Sequence, residues 1–208
     1  MSATRTAMSV KSLGLMCTAF GLLMSTTSAS ELPPDKAIEI AVAALASAVE
    51  PRRDELKRDK RATVEVIDEF LNRYSDMRLA CRIILSTNWK TATADQQERF
   101  MEAFNNHVTN LLIDLVPALD FDNITVAPFA GDAEELPVTV HATVRTVDGD
   151  LLQFNFRMHN KDGDWRILDV VVEGVSYLKL YRAEFRQEIA EHGLEETIER
   201  FAQRSTPK

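Results

Sequence analysis

The residues able to do chemistry are few in this chain and poorly spaced for catalysis. Asp169 and Glu173 stand near the end of the valine-rich run "LDVVVEGVSYL". Carboxylates there could act as general bases if a cavity stripped their water and raised their pKa. Strand alternation argues otherwise: if Val170 and Val172 face inward, both acids face outward. Outward, they would form a salt bridge or cap the helix that follows. The four histidines, His107, His141, His159 and His192, are scattered, and His141 and His159 read as solvent-side or strand-end positions. Cys81, within "LACRIIL", reads as a small buried apolar residue and not as a nucleophile. HExxH, paired Cys/His ligand spacing, GxSxG and a glycine-rich phosphate loop are all missing, so zinc chemistry and an elbow serine find no support. The two "DGD" triplets, 148–150 and 162–164, lack the later ligands of a calcium loop and read as hairpin turns. Neither a metal nor a cofactor is expected.

The elements that must position these residues divide into a helical half and a strand half. "PPDKAIEIAVAALASAV" opens with prolines, offers Asp35 as an N-cap, aligns Ile38, Val42, Leu45 and Val49, and stops at Pro51. The segment Arg52–Arg61, with six basic and three acidic residues, reads either as a solvated, partly helical connector or as a docking patch for an acidic partner or phosphate headgroup. Helices are expected over Val64–Tyr74 and from Met77 to about Trp89. The clearest begins at Thr93, where Thr93 and Gln96 make a capping box; Phe100, Phe104, Val108, Leu111 and Leu115 recur down one face, and Pro117 ends it.

After Asp120 the period drops to two. "NITVAPF" reads as a short strand. "PVTVHATVRTV" alternates Val138, Val140, Ala142 and Val144 against polar neighbours, and "LLQFNFRMHN" does the same with Leu152, Phe154, Phe156 and Met158. Asp148–Gly149 and Asp162–Gly163 supply tight turns. Closing helices are expected over Val175–Ala190 and Leu194–Phe201. The fold class is therefore α+β: a curved antiparallel meander of about four strands, helices packed on one face, and an apolar cavity between.

Arg5 and Lys11, the apolar run Leu13–Met24 and the small residues Thr27 and Ala29 have the order of an export signal. The expected organisation is a signal peptide over 1–29 and a single domain over 30–208. Cleavage would leave 22 basic against 32 acidic residues, a net charge of −10. That excludes nucleic acid as a partner and predicts repulsion from anionic membranes. Only Cys81 would remain, so no internal disulfide can support the core.

From Asp76 onward the chain resembles the MlaC family. The similarity rests on Asp76 before an apolar helix, on Trp89–Lys90, and on Thr93, Gln96 or Gln97, Phe100 and Phe104. It continues through the turns of the meander, Trp165, and the "D-V-x-x-EGVS" run of Asp169, Val170, Glu173, Gly174, Val175 and Ser176. Two positions depart from the family pattern: Ser86 stands where glycine is common, and Leu111 or Leu112 where tyrosine is common. The resemblance implies a non-enzymatic periplasmic phospholipid carrier, with the lipid as cargo. It also implies two docking partners, an inner-membrane ABC transporter complex with an MCE-domain subunit and an outer-membrane lipoprotein complex. A monomer would suffice.

For such a carrier the candidate lipid-binding residues are Leu79, Ile83, Phe104, Val108, Leu111, Leu112 and Leu115 from the helices. Phe154, Phe156, Val170 and Val172 come from the sheet, and Val175 begins the helix behind it. The same side chains could instead fill a solid core. Two other functions stay open: a small-molecule isomerase or dehydratase needing an inward acid beside a His or Tyr, and a periplasmic adaptor or chaperone acting through its surface.

Overall fold

The computed structural model describes residues 32–146 and 149–205. The proposed export signal over 1–29 and Asp148 of the first hairpin turn lie outside the described residues. The helices are α1 (Pro34–Val49), α2 (Arg53–Leu56), α3 (Lys60–Tyr74), α4 (Met77–Leu85), α5 (Thr87–Thr91), α6 (Ala94–Leu112), α7 (Tyr177–His192) and α8 (Leu194–Ser205). Between α6 and α7 the strands β1 (Leu119–Val126), β2 (Val138–Thr146), β3 (Leu151–Lys161), β4 (Asp164–Val172) and β5 (Val175–Ser176) form one antiparallel sheet in chain order. The α+β meander is as expected.

Local chemistry explains most boundaries. Thr93 Oγ1 accepts the N–H of Gln96 while the Gln96 side chain accepts the N–H of Thr93, so the capping box starts α6. Asp59 and Asp76 cap α3 and α4. Asp162 and Gly163 both have positive φ, the signature of a two-residue hairpin whose twist matches the strands.

Several boundaries differ from expectation: α3 starts at Lys60, before Val64, and α6 stops at Leu112, short of Pro117, so that Leu115 lies beyond it. α1 is capped by Pro33, and Asp35 falls within its first turn, because proline's fixed φ suits a helix start. The expected helix from Met77 to Trp89 is broken into α4 and α5 at Ser86, where φ is +54°. β1 begins at Leu119, before "NITVAPF", and its pairing with β2 is irregular between Asp120 and Ile124. Val175 and Ser176 are strand and not helix: Glu173 and Gly174, both at positive φ, fold the chain into a tight hairpin that adds β5 as a fifth strand. α8 runs on to Ser205.

The packed interior falls into three apolar clusters. One joins α4–α8 around Phe100, Phe104, Phe185 and Phe201. The second joins α1, α2 and α3 to β1 through Val49, Leu56, Ile67 and Phe121. The third sets Ile38 of α1 against Val138, Val140, Met158, Trp165 and Ile167 of the sheet. No helix among the described residues is long and apolar enough to cross a membrane.

Candidate functional site

The sheet's inner face is set by its register. Ala142 pairs with Phe154 and Val140 with Phe156 across β2 and β3; Phe154 pairs with Val172 and Phe156 with Val170 across β3 and β4. Opposed residues share a face, so these side chains make a continuous apolar band. Its two halves differ in burial. Val138, Val140, Ala142 and Val144 of β2 are buried, whereas Leu152, Phe154, Phe156, Val170 and Val172 keep partial exposure.

Side chains at the end of α6 and just beyond it show the same behaviour. Val108 packs against both the helical and the α1–α3 clusters, and Leu112, Leu115 and Phe154 pack on the second. All of them stay partly exposed. Inward-facing Phe and Leu are normally among the most buried residues. Here Val108, Leu112, Leu115 and Phe154 flank the second cluster and are not fully covered by it.

The twelve side chains expected to bind lipid fall into three groups. Val108, Leu112, Leu115 and Phe154 are partly buried at the margin of the second cluster, Phe156 and Val170 at the margin of the third, and Val172 at the rim of the sheet; Leu152 joins the sheet residues by strand parity. Leu79 and Ile83 are partly buried on α4, and Phe104 lies inside the helical cluster, with Tyr181 edge-on at 5.3 Å. Leu111 and Val175 are half exposed. A separate open hollow of about 380 Å3 lies on the β1–β2 loop by Phe129, Asp132 and Glu135. It shares only Val138 and Val140 with the inner face.

The carboxylates are placed for architecture. Asp169 pairs in register with Arg157, opposite in parity to Val170. Its side chain is fully buried and accepts hydrogen bonds from Ser176 Oγ at 2.6 Å, the Leu178 N–H at 3.0 Å and Arg157 Nη1 at 3.3 Å. It therefore ties β4 to the start of α7, as salt bridge and helix cap together. Glu173 accepts the Gln153 N–H at 2.9 Å and extends the β3 ladder past the turn. No histidine or tyrosine side chain is among the partners of Asp169 in the described residues.

Two polar groupings come from residues that sequence spacing could not pair. His107 of α6 and Tyr181 of α7 share a 2.7 Å hydrogen bond. Burial, helped by Arg204, lowers the His107 pKa, and burial pushes the Tyr181 phenol up to about 12. Both stay neutral at pH 7. Asp76 sits beside Lys161 at 3.1 Å and His159 at 3.3 Å. His159 is thus largely covered and faces a carboxylate, where its strand position suggested solvent. Cys81 is buried and its thiol pushed up by desolvation, unsuited to nucleophilic attack. Among the described residues no three His, Cys, Asp or Glu side chains could hold a metal ion.

A family model described as MlaC protein matches residues 39–203. The chain belongs to the MlaC family. Among curated relatives, the "Intermembrane phospholipid transport system binding protein MlaC" of Haemophilus influenzae is 23% identical over 170 residues, covering 80% of this chain and 78% of the relative. The "Toluene tolerance protein ttg2D" of Pseudomonas putida is 23% identical over 195 residues, covering 92% and 88%. A solved structure of a phospholipid-binding protein from Ralstonia solanacearum, in complex with a phospholipid, superposes with a TM-score of 0.74 at 18% identity. It covers 85% of this chain and 100% of that one. The chain therefore shares the fold of that structure over 85% of its length. The break at Ser86 has a positive φ, the conformation glycine adopts without strain.

Proposed function

We propose that this MlaC-family chain is a periplasmic phospholipid carrier. It holds acyl chains along the seam between α6 and the β3–β4 face, and it shuttles lipid between an inner-membrane MCE-domain transporter complex and an outer-membrane lipoprotein complex. The partial exposure of Phe154, Phe156, Val170 and Val172 on the inner face carries this reading. An acyl chain of ~16 carbons costs on the order of 12 kcal/mol in water, at about 0.8 kcal/mol per methylene. A dry apolar slot removes most of that cost, so transfer from bilayer to protein exchanges one apolar medium for another. Small differences in affinity between docking partners then suffice to direct delivery, and no covalent chemistry is needed. The buried, fully bonded Asp169 and the neutral His107–Tyr181 pair agree with a binding role.

Native and denaturing mass spectrometry of protein purified without detergent tests the proposal. The expected result is co-purifying phospholipid near one equivalent. A lipid-free protein that also takes up no lipid from phosphatidylethanolamine/phosphatidylglycerol vesicles would overturn it.

A further inference from the structure

Resting on the carrier reading, we infer that the outward flank of α4, α5 and α7 is the surface on which this chain docks a carboxylate-rich protein. The chain is acidic, with 32 Asp and Glu against 24 Lys and Arg, yet its charges are segregated. From Met77 to Ala94 there is no acid, and none from Tyr177 to Ala183. These stretches carry Arg78, Arg82, Lys90, Lys179 and Arg182, and Arg186 follows one turn on. All six are exposed. Several other arginines are bonded to acids: Arg52 to Glu55, Arg53 to Glu50, Arg99 to Glu195, Arg157 to Asp169 and Arg204 to Glu188.

The geometry of α7 accounts for the segregation. Leu178, Tyr181 and Phe185 seat the helix on the core. At 100° per residue, Lys179, Arg182 and Arg186 then fall on one flank and Glu184 and Glu188 on the other. The acids approach Arg204 of α8, while Arg182 reaches Ser86 at the end of α4. Between them, Ser86, Thr87, Asn88, Arg182 and Arg186, with Ile189 behind, enclose a notch of about 90 Å3 with no acid in its wall. Two guanidinium groups one helical turn apart, beside hydroxyl and amide groups, suit a carboxylate side chain held by forked hydrogen bonds. Tyr177 and Leu180, both exposed on the first turn of α7, add apolar contact next to the charges. In the basic segment that the sequence singled out, Arg52–Arg61, Arg52 and Arg53 are held by neighbouring acids, and Asp54, Glu55 and Asp59 are interspersed among the remaining charges.

A protein fits this surface better than a bilayer does. The chain's net charge of −8 repels an extended anionic membrane, whereas a protein partner need match only the patch. The notch also accepts a single side chain and not a planar array of headgroups.

The test places a photo-crosslinking residue at Thr87, with Glu199 on α8 as the control position, in the full chain expressed in its host. Irradiation is expected to give a protein adduct at Thr87 and not at Glu199. The crosslinked partner peptide, sequenced by mass spectrometry, should carry a surplus of Asp and Glu. Arg182→Glu with Arg186→Glu should cut the adduct at least tenfold. Arg186→Glu alone, which breaks no bond among the described residues, should cut it severalfold. Phospholipid content of the purified variants should stay unchanged. A lipid-only adduct, a neutral or basic partner peptide, no adduct, or an adduct indifferent to charge reversal would overturn the inference. Loss of bound lipid in the unsubstituted protein would instead overturn the carrier reading, which the crosslink does not measure.

Discussion

The carboxylate of Asp169 on β4 accepts the backbone N–H of Leu178, the second residue of α7, at 3.0 Å. A helix N-terminus leaves its first N–H groups without intrahelical partners. Here one of them is satisfied from the sheet by a buried charge that also holds Ser176 and Arg157. One side chain thus fixes the angle at which α7 leaves the sheet, and α7 in turn seats the helical cluster.

Asp169→Ala should therefore destabilise the fold by about 2–4 kcal/mol, because it strands Arg157 and an α7 N–H at once. Denaturant unfolding should show a lower midpoint at an unchanged slope. An unaltered midpoint would refute the structural role and reopen the case for a chemical one.

Ser86 predicts the opposite sign. Its φ of +54° and ψ of −119° are strained for a residue with a Cβ and easy for glycine. Ser86→Gly should raise stability by about 1 kcal/mol, even though it gives up the exposed hydrogen bond from Arg182 at 3.3 Å. Differential scanning calorimetry reads this as a rise in Tm; a fall would mean that the hydroxyl contact outweighs the backbone strain.

Asp76 and His107 give the pH dependence. Burial alone would raise the Asp76 pKa, but the hydrogen bond from the Leu79 N–H and the charges of Lys161 and His159 outweigh it, and the net shift is downward. A depressed carboxylate pKa contributes stability that is present above the ordinary value near 4 and lost as pH falls through the lower folded value. His107 is shifted downward by burial, so the unfolded chain takes up its proton first and stability falls as pH drops below about 6.5. Wild-type Tm should decline in two stages on acidification. Asp76→Asn should remove the lower stage and His107→Gln the upper. Superimposable profiles for wild type and either variant would count against that assignment.

How much of this was legible in the sequence depends on the range of each interaction. The Thr93–Gln96 capping box and the Asp162–Gly163 turn are decided within four residues, and period-two alternation put Phe154, Phe156, Val170 and Val172 on one face. The break at Ser86 was not legible, because serine carries no sign of a positive φ that tertiary packing imposes. Nor was the cluster of Asp76, His159 and Lys161, in which Asp76 lies more than eighty residues from the other two. Periodicity likewise cannot grade burial along one stripe. It treated Phe104, Val108 and Leu111 alike, although they are buried, partly buried and half exposed in turn.

That gradient separates a lipid wall from a core. Phe104 is enclosed by Phe100, Tyr181 and Phe201, so a charge there would be buried unpaired and unfold the helical cluster, while Phe104→Ala should cost about 3–5 kcal/mol through lost burial and the cavity left behind. Val172 pairs with Phe154 and Val175 at the rim of the sheet and keeps partial exposure. Val172→Glu can turn its carboxylate toward water, and the fold should lose no more than about 1–2 kcal/mol. The same carboxylate would sit at the seam proposed to hold the acyl chain, so bound phospholipid should drop at least tenfold in native mass spectra. A Val172→Glu protein that melts near the wild-type temperature yet stays fully loaded with lipid would place the acyl chains elsewhere, and the seam would have to be read as ordinary packing.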